Sequence, residues 1–488
     1  MVWTRRTIGL LLGPLLFATV LAAPTGLEPD AHRLAAIFAL VIVFWVTEAI
    51  PLAASALLGP ALTVPLGVAP AREAFALFGH PILFLFLGSF LIARGMMQHG
   101  LDRRIALFVL SRPWVGDHPW RILLAFGAIA WFLSMWISNT ATTAMMLPIG
   151  LGVLRTLSAD RDEADGHGRY AIALLLMIAF SCSIGGIATP VGTPPNLIGI
   201  GMLEEILGQS ISFFDWMRFA APISLVLFLF LYATVRLVFP SKVSELANAH
   251  EAFLQHRADL DRWSAGERVA LVAFLMAVAL WTLPGVLTVA LGPESAFAQA
   301  IERMLPEGPA AIFAAMALFL IPTERGSWRP ALTWREAAQI DWGTIILFGG
   351  GLSLGSLAFS SGLAGALADA IGGQSAGLSI WLLALLALFV ANALTEFMSN
   401  TATANLLIPI FLALASSSSA HPALPAVAAM LGCSLAFCLP VATPPNAIVY
   451  GSGQVPLTQM IRLGILLEIG CGLLVWAGLF LFQNILRF

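Results

Sequence analysis

Two short polar sequences interrupt long apolar runs in this chain, and each occurs twice. Ser138-Asn139-Thr140-Ala141-Thr142 pairs with Ser399-Asn400-Thr401-Ala402-Thr403, and Thr193-Pro194-Pro195-Asn196 pairs with Thr443-Pro444-Pro445-Asn446. Their chemistries are complementary. Each proline pair removes backbone N–H groups and breaks a helix. Carbonyls just upstream then lose their helical partners, around Ala188, Thr189 and Gly192 in one copy and Leu439 and Ala442 in the other. Such carbonyls, with Ser, Thr and Asn oxygens nearby and no local carboxylate, make a neutral oxygen cage. That cage suits a weakly held monovalent cation such as Na⁺, whereas Ca²⁺ would call for several carboxylates. At the Ser-Asn-Thr turn, backbone N–H groups and the positive end of the returning half-helix attract an anion. The Asn amide and Thr hydroxyl add donors. Each half would hold one cation and one end of an anion, and two facing tips suit a dianion with separated charges, such as a dicarboxylate. A single copy reads as well as a Pro-kinked helix with Ser/Thr packing. Two ordered copies of both motifs favour the site.

The elements that must position these motifs follow from composition. The 488 residues are 59% hydrophobic and 10% charged, against roughly 25% charged in an average soluble domain. A spanning helix needs about 20 apolar residues. Apolar stretches fall near 7–23, 33–50, 52–69, 79–99, 123–150, 170–204, 219–239, 269–291, 309–322, 343–371, 379–412, 425–452 and 463–486. The expected fold is an all-α polytopic membrane protein. Thr4-Arg5-Arg6 before an apolar run ending at Ala23 also resembles a signal peptide, but that run is long enough to span.

Segments 123–150 and 379–412 are broken near their middles by Ser-Asn-Thr and read as re-entrant hairpins. With a cytoplasmic N-terminus, nearly all Lys and Arg then lie on the cytoplasmic side. They include Arg94, Arg103, Arg104, Arg112, Arg155, Arg161 and Arg169, then Arg236 to Arg268, then Arg325, Arg329 and Arg335. Only Arg33, Arg72, Arg218, Arg303 and Arg487 fall outside. The positive-inside rule asks for this asymmetry, and full crossings would weaken it. The expectation is about eleven transmembrane helices plus two re-entrant hairpins.

The motifs belong to a wider repeat. Arg72-Glu73-Ala74 matches Arg335-Glu336-Ala337, Gly100-Leu101 matches Gly362-Leu363, and Pro148 matches Pro409, at a nearly constant offset. The slip sits in loops, where Ser158–Arg169 is longer than Ser416–Pro425. An odd number of spans separates equivalent elements, so the halves are inverted. Inverted repeats with interrupted helices in matching places point to a secondary transporter with its site at the repeat interface. The division is helix 1 in 1–32, repeat 1 in 33–240 with its hairpin at about 123–150, a cytoplasmic interfacial linker in 241–267, and repeat 2 in 268–488 with its hairpin at about 379–412. The linker mixes Glu245, Glu251, Asp259 and Asp261 with Leu246, Phe253, Leu260 and Trp263.

Other groups say less. Glu48 and Glu396 lie in or near apolar spans, where an ionisable group is a functional suspect, though a structural pair or an interfacial position reads equally well. His80 and His99 border a span as candidate proton carriers or plain boundary residues. Cys182, Cys433, Cys438 and Cys471 sit in apolar runs and read as small buried residues. No nucleophile–base pair, HExxH or phosphate loop is visible, and no basic block suits nucleic acid. The chain is therefore not read as an enzyme or an ATP-driven pump, and a channel or membrane sensor is the rival from another class.

The paired Ser-Asn-Thr tips, Ser183-Ile184-Gly185-Gly186 leading to Thr193-Pro194-Pro195-Asn196, and Pro440-Val441-Ala442-Thr443-Pro444-Pro445-Asn446 resemble the divalent anion/sodium symporters, which carry dicarboxylates, citrate or sulfate. The resemblance runs from about residue 33 to the end. It implies a homodimer in which a transport domain moves by an elevator motion against a fixed scaffold, with no cofactor beyond Na⁺ as coupling ion. It also implies one sodium site at Ser134, Ser138, Asn139 and the Gly192 carbonyl, and a second at Thr395, the Met398 carbonyl, Asn400 and the Ala442 carbonyl. Substrate carboxylates would meet Ser138, Asn139 and Thr140 at one tip and Ser399, Asn400 and Thr401 at the other, with Thr193, Thr443 and Pro444 nearby. The expected activity is sodium-coupled import of C4-dicarboxylates (succinate, malate, fumarate) across a bacterial inner membrane, in contact with its lipid. A sodium-independent exchanger or a sodium-coupled citrate or sulfate carrier is the alternative.

Overall fold

The computed structural model describes residues 4–158, 167–240, 246, 248–324, 328–375, 379–416 and 422–484. Arg161, Lys242, Glu245, Arg325, Arg487 and most of the loop that carries the repeat slip lie outside the described residues. What is described is helical, apart from one isolated bridge between Pro322 and Pro330. The first half comprises α1 (Arg5–Ala22), α2 (Pro29–Thr47), α3 (Leu52–Thr63), α4 (Ala71–Ala76), α5 (Pro81–Gln98), α6 (Leu101–Leu110), α7 (Pro119–Ser134), α8 (Asn139–Ser158), α9 (His167–Ile187), α10 (Pro194–Leu207) and α11 (Phe213–Val238). A short α12 (Ala249–Ala258) follows. The second half comprises α13 (Ala265–Leu291), α14 (Ala296–Met304), α15 (Glu307–Leu320), α16 (Trp334–Ala337), α17 (Trp342–Ser360), α18 (Leu363–Ser375), α19 (Ile380–Thr395), α20 (Asn400–Ser416), α21 (Ala423–Gly432), α22 (Pro444–Tyr450) and α23 (Leu457–Phe482).

Local chemistry sets these boundaries. Proline opens α2, α5, α7, α10 and α22, where its missing N–H costs nothing. Ser212, Ser264 and Ser379 cap α11, α13 and α19 with side-chain oxygens. Ser264 and Glu267 form a full capping box. Arg104 of α6 ties into it, 2.5 Å from Glu267 Oε1 and 2.8 Å from the Asp261 carbonyl.

Among the described residues eight helices are long and apolar enough to cross a bilayer, or nine if the bent pair α14–α15 is one span. That is fewer than the eleven expected, for a physical reason. The 52–69 run is helical only over the 12 residues of α3 and then turns through Gly67 at φ +70°. The 309–322 run gives a 14-residue α15, and 425–452 gives α21 and α22 of 10 and 7 residues around a break. Twelve residues rise only about 18 Å, short of a hydrocarbon core of about 30 Å.

Packing joins the halves crosswise. α5 lies on α15 as α17 lies on α3, and α10 lies on α20 and α21 as α22 lies on α8 and α9. The first pair approaches so closely that Gly88 faces the Ala311 backbone and Gly350 the Ala56 carbonyl, with no room for a Cβ at either. The linker helix α12 docks on the α6–α7 connection. Asp117 accepts from the Leu246 and His250 amides, each at 2.8 Å, and Phe253 is buried.

Candidate functional site

Segments 123–150 and 379–412 each fold as two helices joined by a tight turn, α7–α8 and α19–α20. The turn residues stand at the start of the returning helix. Ser138 accepts from the Ala141 amide at 3.3 Å, helping to set the first turn of α8. In both copies the last residue before the turn grips the asparagine after it. Ser134 donates to Asn139 Oδ1 at 2.6 Å, and Thr395 donates to Asn400 Oδ1 at 2.7 Å.

The proline breaks sit beside these tips. α9 ends at Ile187 and α10 begins at Pro194, while α21 ends at Gly432 and α22 begins at Pro444. The expectation that all the upstream carbonyls would be left unpaired is corrected at two of them. Asn196 Nδ2 donates to Thr189 O at 2.8 Å and Gly186 O at 3.1 Å. Asn446 Nδ2 donates to Leu439 O at 3.1 Å and Ala436 O at 3.2 Å. The asparagine of each motif thus reaches back and closes the break that its prolines open.

One cavity of about 930 Å³ collects all of this. Its lining includes Ser138, Asn139, Thr140, Gly192 and Thr193 from one half, and Met398, Ser399, Asn400, Thr401, Ala442, Thr443 and Pro444 from the other. Ser134 and Thr395 are fully buried behind the tips, held to the lining through their asparagines. The first turns of α8, α10, α20 and α22 all reach this space. Helix N-termini carry partial positive charge, so their convergence makes an electropositive chamber without a buried lysine. Hydroxyl and carboxamide oxygens with adjacent carbonyls can hold a monovalent cation beside an anion.

Sequence reasoning singled out Glu48 but did not place Arg5 or Arg94 in the wall. Arg94, from the C-terminal end of α5, lines the cavity and donates to Gln339 at 2.5 Å. Arg5 lines it too and donates to the Phe397 carbonyl at 3.0 Å, next to the second tip. Glu48 closes α2 in a left-handed conformation (φ 48°) at the same cavity. Glu396 has a structural duty, accepting from the Cys438 and Leu439 amides at 3.0 and 2.8 Å. Glu468 of α23 accepts from the Phe437 and Cys438 amides, each at 3.2 Å. Its signal was available, as an ionisable residue inside an apolar run. Among the described residues, no carboxylate of the first half bonds the amides of its break. There Thr189 Oγ1 bonds the Met135 carbonyl at 2.5 Å. His80 caps α5 through Nδ1 and His99 bonds the Ala331 carbonyl, so both serve helix ends. All four cysteines are free and buried.

A second cavity, about 880 Å³, touches the opposite end of α5 at Pro81 and Leu85. Glu204, Asp215, Arg218 and Glu307 line it, and Glu307 accepts from the Phe213 amide. Phe213 stacks between Trp136 and Trp281 there, at 6.3 and 4.8 Å between ring centroids.

Helices alone among the described elements, spans of bilayer length and a polar chamber among broken helices define an integral membrane protein. The family model described as the sodium:sulfate symporter transmembrane region matches residues 3–486, and the chain belongs to that family. It is 34% identical over 470 residues to the sodium-dependent dicarboxylate transporter SdcS of Staphylococcus saprophyticus, covering 94% of this chain and 88% of that one. The SdcS of Staphylococcus aureus shows the same identity and coverage. Among solved structures, the YdaH transporter of Alcanivorax borkumensis is similar with a TM-score of 0.55 at 16% identity, covering 97% of each chain. MtrF of Neisseria gonorrhoeae follows with a TM-score of 0.53 at 14% identity, covering 98% of this chain and 94% of that one. These two likenesses concern the fold alone.

Proposed function

We propose that this chain is a sodium-coupled symporter of C4-dicarboxylates such as succinate, malate and fumarate, in a bacterial inner membrane. The observation that carries the reading is the single cavity lined by both Ser-Asn-Thr tips and both proline breaks. One carboxylate of the substrate is held by Ser138, Asn139 and Thr140, with Thr193 beside them. The other is held by Ser399, Asn400 and Thr401, with Thr443 and Pro444. One Na⁺ lies among Ser134, Ser138, Asn139 and the Gly192 carbonyl, and another among Thr395, the Met398 carbonyl, Asn400 and the Ala442 carbonyl. The cations balance the charge of the dianion, so each raises the affinity for the other. The names of the staphylococcal relatives agree with both substrate and ion.

The transport cycle follows from the repeats. The two halves are inverted repeats, 33–240 and 268–488, behind an N-terminal helix within 1–32 and joined by the cytoplasmic linker 241–267. The crosswise packing of α5 on α15 and α17 on α3 supports this pseudo-two-fold relation. The site cavity meets the end of α5 that carries Arg94, on the arginine-rich side that the positive-inside rule places in the cytoplasm. With the N-terminus on that side too, the structure is inward-facing. An elevator movement of the two hairpins and broken helices carries the site to the other face, in a homodimer embedded in lipid.

Uptake of labelled succinate into proteoliposomes under an inward Na⁺ gradient, against an equal K⁺ gradient, tests this. Accumulation with Na⁺ alone is expected. Equal uptake in both, only after the lumen is preloaded with dicarboxylate, would make the protein an exchanger. No uptake in either would move the substrate to citrate or sulfate.

A further inference from the structure

Phe108, near the C-terminal end of α6, carries two arginines on its ring. The Arg112 Cζ stands 3.8 Å from the ring centroid and the Arg257 Cζ of α12 stands 5.6 Å from it. Arg257 also donates to Ser111 Oγ at 3.1 Å, one residue before Arg112. The two guanidinium groups are therefore no further apart than those two ring distances laid end to end. Each keeps its charge at any physiological pH. Nothing among the described residues balances them: the ion pairs there engage Arg33, Arg104, Arg218 and Arg329, and neither arginine of this patch. Both side chains are exposed, so both are open to an anion from outside the chain.

The patch lies where helices of bilayer length end. α5 stops at Gln98 and α13 starts at Ala265. Gly100, at φ +69°, turns the chain from α5 into α6, which packs on α5, α7, α12 and α13. α6 buries Leu101, Ala106, Leu107 and Leu110 and leaves Phe108 outward. Phe108 is 46% exposed, and Leu254, three residues before Arg257, is 44% exposed. Basic and apolar groups thus share one outward surface, the pattern of a helix that lies in a membrane interface. Nearby, Arg236 at the end of α11 stands 5.1 Å from the Trp120 ring and 5.6 Å from the Tyr232 ring. Trp and Tyr at span ends mark the same boundary.

We propose that Arg112 and Arg257 bind the phosphate of an anionic phospholipid, whose acyl chain lies over Phe108 and Leu254. Guanidinium forks match phosphate oxygens in geometry as well as charge, and basic clusters at span ends draw anionic lipid from the adjoining leaflet. A free phosphate would satisfy the arginines but leave the apolar half of the surface uncovered, so the lipid is the better fit. Ser111 positions Arg257 and need not touch the lipid. The bound phosphate relieves the repulsion between the two arginines and ties the linker helix α12 to the end of α6 at the bilayer surface. This site is independent of which substrate or ion the carrier takes.

The test is the thermal unfolding midpoint of the full chain in a neutral detergent, titrated with dioleoyl phosphatidylglycerol, with dioleoyl phosphatidylcholine, and with glycerol 3-phosphate as the soluble headgroup. Phosphatidylglycerol alone should raise the wild-type midpoint. The concentration giving half of that rise should increase at least fivefold in Arg112→Gln with Arg257→Gln. Arg112→Lys with Arg257→Lys, which keeps the charge and loses the fork, should fall between the two. Arg103→Gln with Arg262→Gln removes as much charge from the same side and should follow the wild-type curve. If the double glutamine variant does not fold, Arg257→Gln alone and the lysine pair carry the same comparison. A wild-type curve in the folded glutamine variants would overturn the proposal, as would an equal loss in the Arg103 and Arg262 control. Glycerol 3-phosphate acting as well as the lipid would make the patch a site for soluble phosphate and overturn it too.

Discussion

Thr395 donates to Asn400 Oδ1 at 2.7 Å, and Ser134 makes the same bond to Asn139 Oδ1 at 2.6 Å. A hydroxyl at the end of the entering helix thus fixes the carboxamide at the start of the returning one, in both halves. Thr395 also bonds the Cys433 carbonyl at 3.1 Å, reaching towards the proline break. Tip and break are therefore positioned together in the second half.

Replacing the anchoring hydroxyl separates ion binding from folding. Thr395→Val removes one proposed sodium ligand and frees Asn400 to rotate, at a cost of roughly 1 kcal/mol for the lost hydrogen bond. The half-saturating Na⁺ concentration should rise about tenfold or less, since 1.4 kcal/mol is tenfold. Thr395→Ser should restore it. Uptake titrated with Na⁺ checks this, and an unchanged curve for the valine variant would remove Thr395 from the sodium site.

The carboxylates of Glu396 and Glu468 converge on the Cys438 amide and hold the unwound stretch that ends at Ala442. Glu396→Ala leaves the Leu439 amide without its partner and should weaken Na⁺ and succinate binding together, by about fivefold or more, because a buried N–H left without a partner costs about 1–3 kcal/mol. Glu396→Gln, which keeps one acceptor, should be milder. Calorimetric titration with succinate at fixed Na⁺ distinguishes them. Equal affinity in all three proteins would show that the stretch holds its shape without them.

Arg94 supplies positive charge to the cavity wall without belonging to either tip. Arg94→Gln should raise the KM for succinate entering from the Arg94 side severalfold and flatten its dependence on ionic strength, since exposed charges act through a screened field. Efflux from preloaded proteoliposomes at low and high salt measures this. An unaltered salt dependence would limit Arg94 to its bond with Gln339.

Glu336 caps its own helix. The Thr333 amide and hydroxyl hold its carboxyl below the usual carboxylate range. Because its folded value is depressed, the cap contributes stability above the ordinary value of 4.5. That contribution is lost as the pH falls through the lower folded value. Thr333→Ala should therefore speed hydrogen exchange around α16 more at neutral pH than under strongly acidic conditions, where only its cap on the Glu336 amide remains to be lost. The same difference at both pH values would contradict the assignment.

What the sequence reveals is what local motifs encode. Ser-Asn-Thr and Thr-Pro-Pro-Asn each act within a few residues, so both tight turns and both helix breaks were legible, and every expected site residue falls in or directly behind one cavity. The span count was less legible. An apolar run such as 52–69 has the length of a crossing, but Pro65 and Gly67 end the helix at Thr63, which no hydropathy sum registers. The partners of the breaks were hidden for a different reason. Asn196 looks like part of a turn until its amide is seen on the Thr189 carbonyl. Glu468 meets Cys438 only through the packing of α23, 30 residues further along the chain.

The central claim is that the two asparagine tips bind one dicarboxylate together with sodium. Succinate binding to wild type, Asn139→Ala, Asn400→Ala and the double variant, measured by calorimetry in Na⁺ and again in K⁺, tests it most directly. The account predicts binding to the wild type in Na⁺ alone, and its loss in each single variant with the protein still folded, because each change removes a cation ligand and a carboxylate donor together. Wild-type affinity in the folded double variant would contradict it.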